Sequence, residues 1–193
     1  MKASPESPRL FENNFLDFFS RSPWWTVPLF WLPVCGYLIY QGPKDWSLFL
    51  IPLGFFIWGL TEYLLHRFIF HMEFEGKLGK RFHFLMHGVH HEWPNDRFRL
   101  VMPLLVALLI AVPFALFYHW FWGPELFCPF FAGFLLGYVE YECTHYAVHH
   151  VKSKHPVFMR LKRHHLLHHH SDSHAGTKFG VSSPLWDKIF KTR

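Results

Sequence analysis

Ten histidines stand in four short clusters, and each cluster adjoins the same end of a long apolar run: His66 and His71; His87, His90 and His91; His145 and His149; His165, His168 and His169. Runs that cross lipid must be helices or closed barrels, because hydrocarbon offers no partner to an unpaired backbone N–H or C=O. Four stretches of chain that leave membrane helices at one face therefore have only that face on which to meet. The pattern predicts that the fold converges the clusters on one place at a membrane surface.

Four runs approach the roughly 20 apolar residues that a helix needs to span the hydrocarbon. They are Trp24 to Tyr40, Trp46 to Leu65, Leu100 to Tyr118 and Leu126 to Tyr141, the first and last being short. The connections Gln41 to Asp45 and His119 to Glu125 have room only for hairpin turns. With 51% hydrophobic residues, 24 Phe, 9 Trp and 7 Tyr, the 193-residue chain is too apolar for an ordinary soluble domain. Mean hydropathy is nevertheless only +0.08, because the apolar runs alternate with basic, histidine-rich stretches. The expected fold is an all-α integral membrane protein, a single domain over residues 1–193, with four transmembrane helices in two hairpins under a cytosolic histidine-rich helical cap.

Orientation follows from lysine and arginine, which favour the cytoplasmic side. The N-terminal segment carries 3, the loop from His66 to Arg99 carries 6 and the tail after His149 carries 9, against Lys44 alone in the two short turns. Both termini and all four clusters are therefore expected on the cytosolic face, in the endoplasmic reticulum of a eukaryote or the inner membrane of a bacterium. No cleavable signal peptide is expected, since the first apolar run begins only at Trp24 and lacks a small-residue cleavage site. The net charge of +5 reads as topology and attraction to anionic headgroups. Nothing in it calls for nucleic acid.

Phe11, Phe15, Phe18 and Phe19 recur at helical spacing among Glu12, Asn13, Asn14 and Asp17, so residues 1–23 are expected to end in an interfacial anchor. Cys35, Cys128 and Cys143 lack metal-ligand spacing and read as free thiols. No strict internal repeat exists, although the order hairpin, then histidines, occurs twice.

Neutral imidazole is a ligand for iron, zinc, copper or nickel, and residues three or four apart on a helix share a face. His87, His90 and His91 meet that condition, as do His145 with His149, and His165 with His168 and His169. His66 and His71 do not. Five residues turn an ideal helix to about 140° off the starting direction, so a helix end, a distortion or ligation of different metals is expected there. Ten imidazoles exceed what one ion can take, and two ions with about five histidines each would leave about one open position on a six-coordinate metal. His83 stands four residues before His87 as an additional or supporting ligand. His119 lies in the opposite turn, away from any cluster, and His150, His155, His164, His170 and His174 read as solvated or supporting. Glu62, Glu140 and Glu142 lie within helical reach of a cluster, where a carboxylate accepting the far ring N–H would orient a ligand.

Zinc hydrolysis fits poorly, because His91-Glu92 continues Trp93-Pro94-Asn95 without the second histidine of the metalloprotease motif. A metal transporter would place its polar groups near the bilayer midplane, whereas these lie at one face. Redox chemistry on a lipid chain, with iron activating oxygen, suits the pattern better.

The stretches EYLLHRFIFH (62–71), HFLMHGVHHEWPND (83–96), GYVEYECTHYAVHH (137–150) and LKRHHLLHHHSDSHAGTKFGVSSPLWDKIF (161–190) resemble the fatty acid hydroxylase (sterol desaturase) superfamily. Their wording is closest to fatty acid 2-hydroxylases, and the similarity runs from Ser22 to the end. The resemblance implies a four-helix membrane fold with a cytosolic cap and two iron ions, zinc being a possible occupant of isolated protein. It also implies O2 and external electrons as co-reactants, and hydroxylation at carbon 2 of a long acyl chain, free or within a sphingolipid or ceramide. By motif match the ten histidines would be the metal ligands, with Tyr138, Tyr141 and Glu142 lining the site. This chain has Tyr141-Glu142 where the family pattern has Tyr-Asp. No cytochrome b5-like segment is present, so a separate redox donor such as cytochrome b5 or a ferredoxin is expected, docking on the basic tail. A sterol, carotenoid or sphingoid-base hydroxylase or desaturase remains the alternative, since histidine spacing does not report substrate.

Overall fold

The computed structural model describes residues 7–72, 75–170 and 176–193, and among them every regular element is helical. In chain order these are α1 (Asn14–Phe19), α2 (Thr26–Gln41), α3 (Leu50–Leu65), α4 (Gly76–His83), α5 (Val89–Glu92), α6 (Leu104–His150), α7 (Pro156–His170) and α8 (Leu185–Ile189). A short 3₁₀ turn (Trp46–Phe49) leads into α3. π-helical turns follow α3 at His66–Phe70 and α4 at Phe84–Gly88.

Two stretches are long and apolar enough to cross a membrane, Trp46–Phe70 and Leu104–His150, with mean hydropathies of 1.7 and 2.1. α6 is not straight. Gly123 takes a left-handed φ of 71°, open to glycine for want of a Cβ, and Pro124 follows it. The rings of Phe114 and Phe134 lie 5.3 Å apart, whereas twenty residues of straight helix would separate them by about 30 Å. The helix therefore folds back on itself as an antiparallel pair, residues 104–122 and 124–150. The turn expected over His119 to Glu125 is thus only a break at Gly123, and the last apolar helix runs to His150 instead of ending at Tyr141.

The second arm of α6 is the spine of the bundle. On one side Trp31 of α2 meets Tyr138 at 5.8 Å, and on another Trp58 of α3 meets Phe134 at 5.1 Å and Tyr138 at 5.2 Å. Edge-on aromatic pairs of this kind contribute about 0.5–1.5 kcal/mol each. Gly54 and Gly133 let the α3 and α6 backbones touch: a Cβ on Gly133 would run into the carbonyl of Ile51, and one on Gly54 into that of Phe130. Small residues at a crossing are how membrane helices approach closely enough for dispersion to hold them. The outer face is the reverse, with Leu105, Leu109 and Leu116 each 65–67% exposed in a helical stripe. An apolar stripe of that size suits a lipid-facing surface.

All four helical rods share their ends. Trp24, before α2, stacks on Tyr146 at 5.5 Å, and the Met102 N–H, before α6, reaches Glu142 at 3.1 Å. α3 also finishes there, since His66 meets His87 of the π-helical turn Phe84–Gly88. At the opposite end Lys44 donates to the carbonyls of Tyr40 and Gly42 (2.9 and 2.6 Å), so the one cation of the short turns closes the C-terminus of α2. In α1 Phe15, Phe18 and Phe19 point outward at 67%, 57% and 52% exposure, while Asp17 faces the protein. That face suits an interface-lying helix with its rings in lipid.

Candidate metal centre

Four stretches of chain deliver the ten clustered histidines into two groups of five. The first holds His66, His71, His87, His91 and His168; the second holds His90, His145, His149, His165 and His169. In each group the ligand atoms all lie within 4.8 Å of one another. The arrangement is reciprocal. Each His-x-x-His-His stretch sends its i, i+4 pair to one group and its i+3 histidine to the other, so His90 crosses to the second group and His168 to the first. The three histidines of such a stretch do not share one face as their spacing suggested.

His66 and His71 belong to the same group despite their five-residue separation. The π-helical turn is the reason: the His71 N–H bonds the His66 carbonyl at 3.2 Å, an i to i+5 contact that stacks residues five apart. The expected distortion is present, and the alternative, delivery to different groups, is not.

His66 Nδ1–H donates to the Phe179 carbonyl at 2.5 Å and His168 Nδ1–H to that of Thr177 at 2.7 Å. Both rings are thereby held in the tautomer that turns an Nε2 lone pair inward. His66 Nε2 then faces His87 Nε2 at 3.0 Å and His71 Nε2 at 3.3 Å, while His168 Nε2 faces His71 Nε2 at 2.9 Å. In the second group His145 meets His90 and His149 meets His165, each at 2.8 Å, and His169 meets His165 at 3.0 Å. Two ring nitrogens so placed share a proton or flank a cation, and five converging on one point suit a cation. For a metal–nitrogen bond of about 2.1 Å, neighbouring ligands at right angles sit about 3.0 Å apart. Donor type and spacing both fit a metal ion in each group.

Electrostatics agree. Burial, followed by the neighbouring His168, His91 and His83, pushes His71 down to about 3. The same pairing of burial and adjacent histidines holds His87, His90 and His165 well below the ordinary imidazole range. These rings are neutral at physiological pH, the form that binds metal.

Two expected carboxylate roles are corrected. Glu62 does not receive the His66 ring N–H; its Oε1 accepts from the Val181 and Ser182 N–H groups at 2.7 and 3.0 Å, and Ser182 Oγ donates to its Oε2. Glu142 likewise accepts from the Met102 backbone and not from His145. Glu140 takes the Thr144 hydroxyl at 2.8 Å. His83 closes α4 outside both groups, His119 packs on Phe127, and His164 reaches Asp187 at 3.0 Å. His174 and the His170 side chain lie outside the described residues. Asp187, fully buried, was missed by sequence reasoning: it accepts from the Phe179 and Gly180 N–H groups, the Thr192 hydroxyl and His164. No spacing rule marks it, because half of its partners are backbone N–H groups and the others, Thr192 and His164, stand at no motif spacing from it.

A cavity of about 370 Å³ opens beside both groups. His87 of the first group and His90 and His145 of the second stand in its wall with Tyr141 and Glu142. The rest of the lining is nearly all apolar, from Leu100, Met102 and Val106 outward to Leu16 and Phe19 of α1. Tyr138 borders a smaller pocket of about 40 Å³ that shares Tyr141, Met102 and Phe70 with the first.

Buried imidazoles in two groups of five, set at the end of a membrane helix bundle beside an apolar cavity, define a membrane-bound metalloenzyme site. The fatty acid hydroxylase family model matches residues 51–192. The dihydroceramide fatty acyl 2-hydroxylase FAH2 of Arabidopsis thaliana is 38% identical over 97% of this chain and 80% of its own length. The ceramide very long chain fatty acid hydroxylase SCS7 of Saccharomyces cerevisiae is 40% identical over 93% of this chain and 48% of its own, and human fatty acid 2-hydroxylase is 36% identical over 95% and 56%. A solved structure of full-length scs7p, in which only the hydroxylase domain is visible, superimposes with a TM-score of 0.86 at 38% identity, covering 99% of this chain and 72% of that one. The chain belongs to the fatty acid hydroxylase family.

Proposed function

We propose that this chain is an O2-dependent fatty acid 2-hydroxylase, acting on carbon 2 of a long acyl chain held as a free acid or within a ceramide-like lipid. The observation that carries the reading is an apolar cavity whose inner wall contains histidines of both groups. Its largely apolar lining suits a methylene chain, and its inner end would bring that chain to the two histidine groups. The names of the relatives support the acyl substrate and the position of attack.

His66, His71, His87, His91 and His168 would hold one iron ion, and His90, His145, His149, His165 and His169 the other, with zinc able to substitute. Iron, O2 and electrons from a separate donor, cytochrome b5 or a ferredoxin, supply the oxidation of an unactivated C–H bond. The protein's share is placement. Leu100, Met102 and Val106 exclude water along the chain's path. Glu142 fixes the Met102 backbone, and so the shape of the wall, while Tyr141 and the buried Tyr138 hydroxyl lie on the bundle side of the site. α2, α3 and the two arms of α6 are read as four spans with the histidine end in the cytosol, where the basic tail would receive an acidic electron carrier.

The test is mass spectrometry of hydrolysed acyl chains from a host expressing the protein, beside His168→Ala. We expect 2-hydroxy acids with the parent and none with the variant. No hydroxylated acyl chain from metal-loaded parent with a donor supplied would overturn the reading.

A further inference from the structure

The segment 177–182 has no regular secondary structure, yet its carbonyls at Thr177 and Phe179 fix the rings of His168 and His66. Such a strap needs side chains to hold it. Glu62 supplies one clasp by accepting from the Val181 and Ser182 N–H groups and the Ser182 hydroxyl. Asp187 supplies the other, accepting from Phe179 N at 2.9 Å and Gly180 N at 2.8 Å. Glu62 is 3% exposed and Asp187 0%. A buried carboxylate is costly to keep unless it is fully hydrogen-bonded, and these two direct most of their accepting capacity to one short backbone. His66 and His168 both belong to the first group of five. In the second group, the Nδ1 atoms of His90, His145 and His165 receive no carbonyl from this strap.

We propose that Glu62 and Asp187 are positioning residues for the first metal centre alone: they clasp the strap whose carbonyls set the tautomer and aim of His66 and His168. The inference rests on the reading that each group holds an ion. Partners that orient a metal-bound histidine are worth about 10–100-fold in metal affinity, so loosening the strap weakens one ion by that factor and spares the other.

Zinc per chain, read by inductively coupled plasma mass spectrometry after dialysis of the detergent-solubilised protein against graded chelator, tests this. His149→Ala damages the second centre and His168→Ala the first, giving two backgrounds. In the His149→Ala background, Glu62→Ala should release the remaining zinc at about 10–100-fold lower chelator; in the His168→Ala background it should change nothing. Glu62→Gln, which keeps one acceptor oxygen for the two N–H groups, should recover part of the loss. Asp187→Asn provides an independent second variant, with helical circular dichroism and gel filtration reporting the fold. Equal loss in both backgrounds, or no loss in either, overturns the proposal. A parent that binds fewer than two zinc ions overturns the two-centre reading itself.

Discussion

Arg99 ties the N-terminal segment to the rest of the protein. Its guanidinium, 2% exposed, reaches Asp17 at 3.0 Å and Asp96 at 3.2 Å, and Arg21 meets the other Asp17 oxygen at 3.1 Å. Ser7 and Ser20 take further Arg99 contacts at 3.1 and 3.3 Å. Removing one partner of a buried ion pair costs about 3–5 kcal/mol, because the charge left behind is neither paired nor solvated. Arg99→Leu should therefore lower the thermal midpoint in detergent by roughly 10 °C, taking about 2–4 °C per kcal/mol at this chain length. Adding Asp96→Asn should restore part of it by removing the stranded charge, while Asp17 keeps Arg21 as its partner. An Arg99→Leu midpoint within 2–3 °C or so of the parent would defeat the account. The network was not legible in the sequence. Asp17 sits among phenylalanines and reads as the wet side of an interfacial helix, and only the fold reveals that its side is the dry one. Asp187 was hidden for a similar reason, since backbone N–H groups as partners leave no mark on residue spacing.

At the scale of elements, apolar length reports helices well, because hydrocarbon thickness sets it directly. Trp46 onward and Leu104 onward emerge as the long apolar helices. What apolar length does not report is helix phase and where a helix ends. The π-helical turn at His66–Phe70 brings together two histidines that a 3.6-residue period sends apart, and nothing in a hydropathy pattern announces it. The same limit hid the division of each His-x-x-His-His stretch, since three ligands on one face look alike until two ions compete for them. Glycine positions carry the packing of α3 on α6, and that is testable by a matched pair. A methyl group on Gly133 meets the Ile51 backbone, which cannot yield as a side chain would, whereas one on Gly36 meets nothing within 4 Å. Gly133→Ala should cost about 1–3 kcal/mol through overpacking, and Gly36→Ala close to none. Equal thermal midpoints for the two variants in the same detergent would remove the close crossing from the explanation of the fold.

Over the whole molecule, the order of hairpin then histidines, occurring twice in the sequence, becomes two reciprocal groups of imidazoles at one end of the helix bundle, and this sets how the protein responds to acid. In an unfolded chain these rings take up a proton near pH 6.5. In the folded protein burial and the neighbouring histidines delay His71 to about 3 and hold His87, His90 and His165 well below the ordinary range. Below pH 6.5 or so the unfolded state therefore binds more protons than the folded one, so stability rises with pH and falls as the solution is acidified. Each such ring contributes up to about 1.4 kcal/mol per pH unit, and several acting together make the loss steep. Protons also displace metal from neutral imidazole, so ion release moves in the same direction. Thermal midpoints measured from about pH 7.5 down to about pH 5, with and without chelator, separate the two contributions. Both series should decline below about pH 6.5, with the chelated protein starting lower and still falling because the buried rings alone provide the coupling. A chelated protein whose midpoint is flat or rising over that interval would mean that the clustered histidines are solvated and protonate freely, and their burial would have to be abandoned.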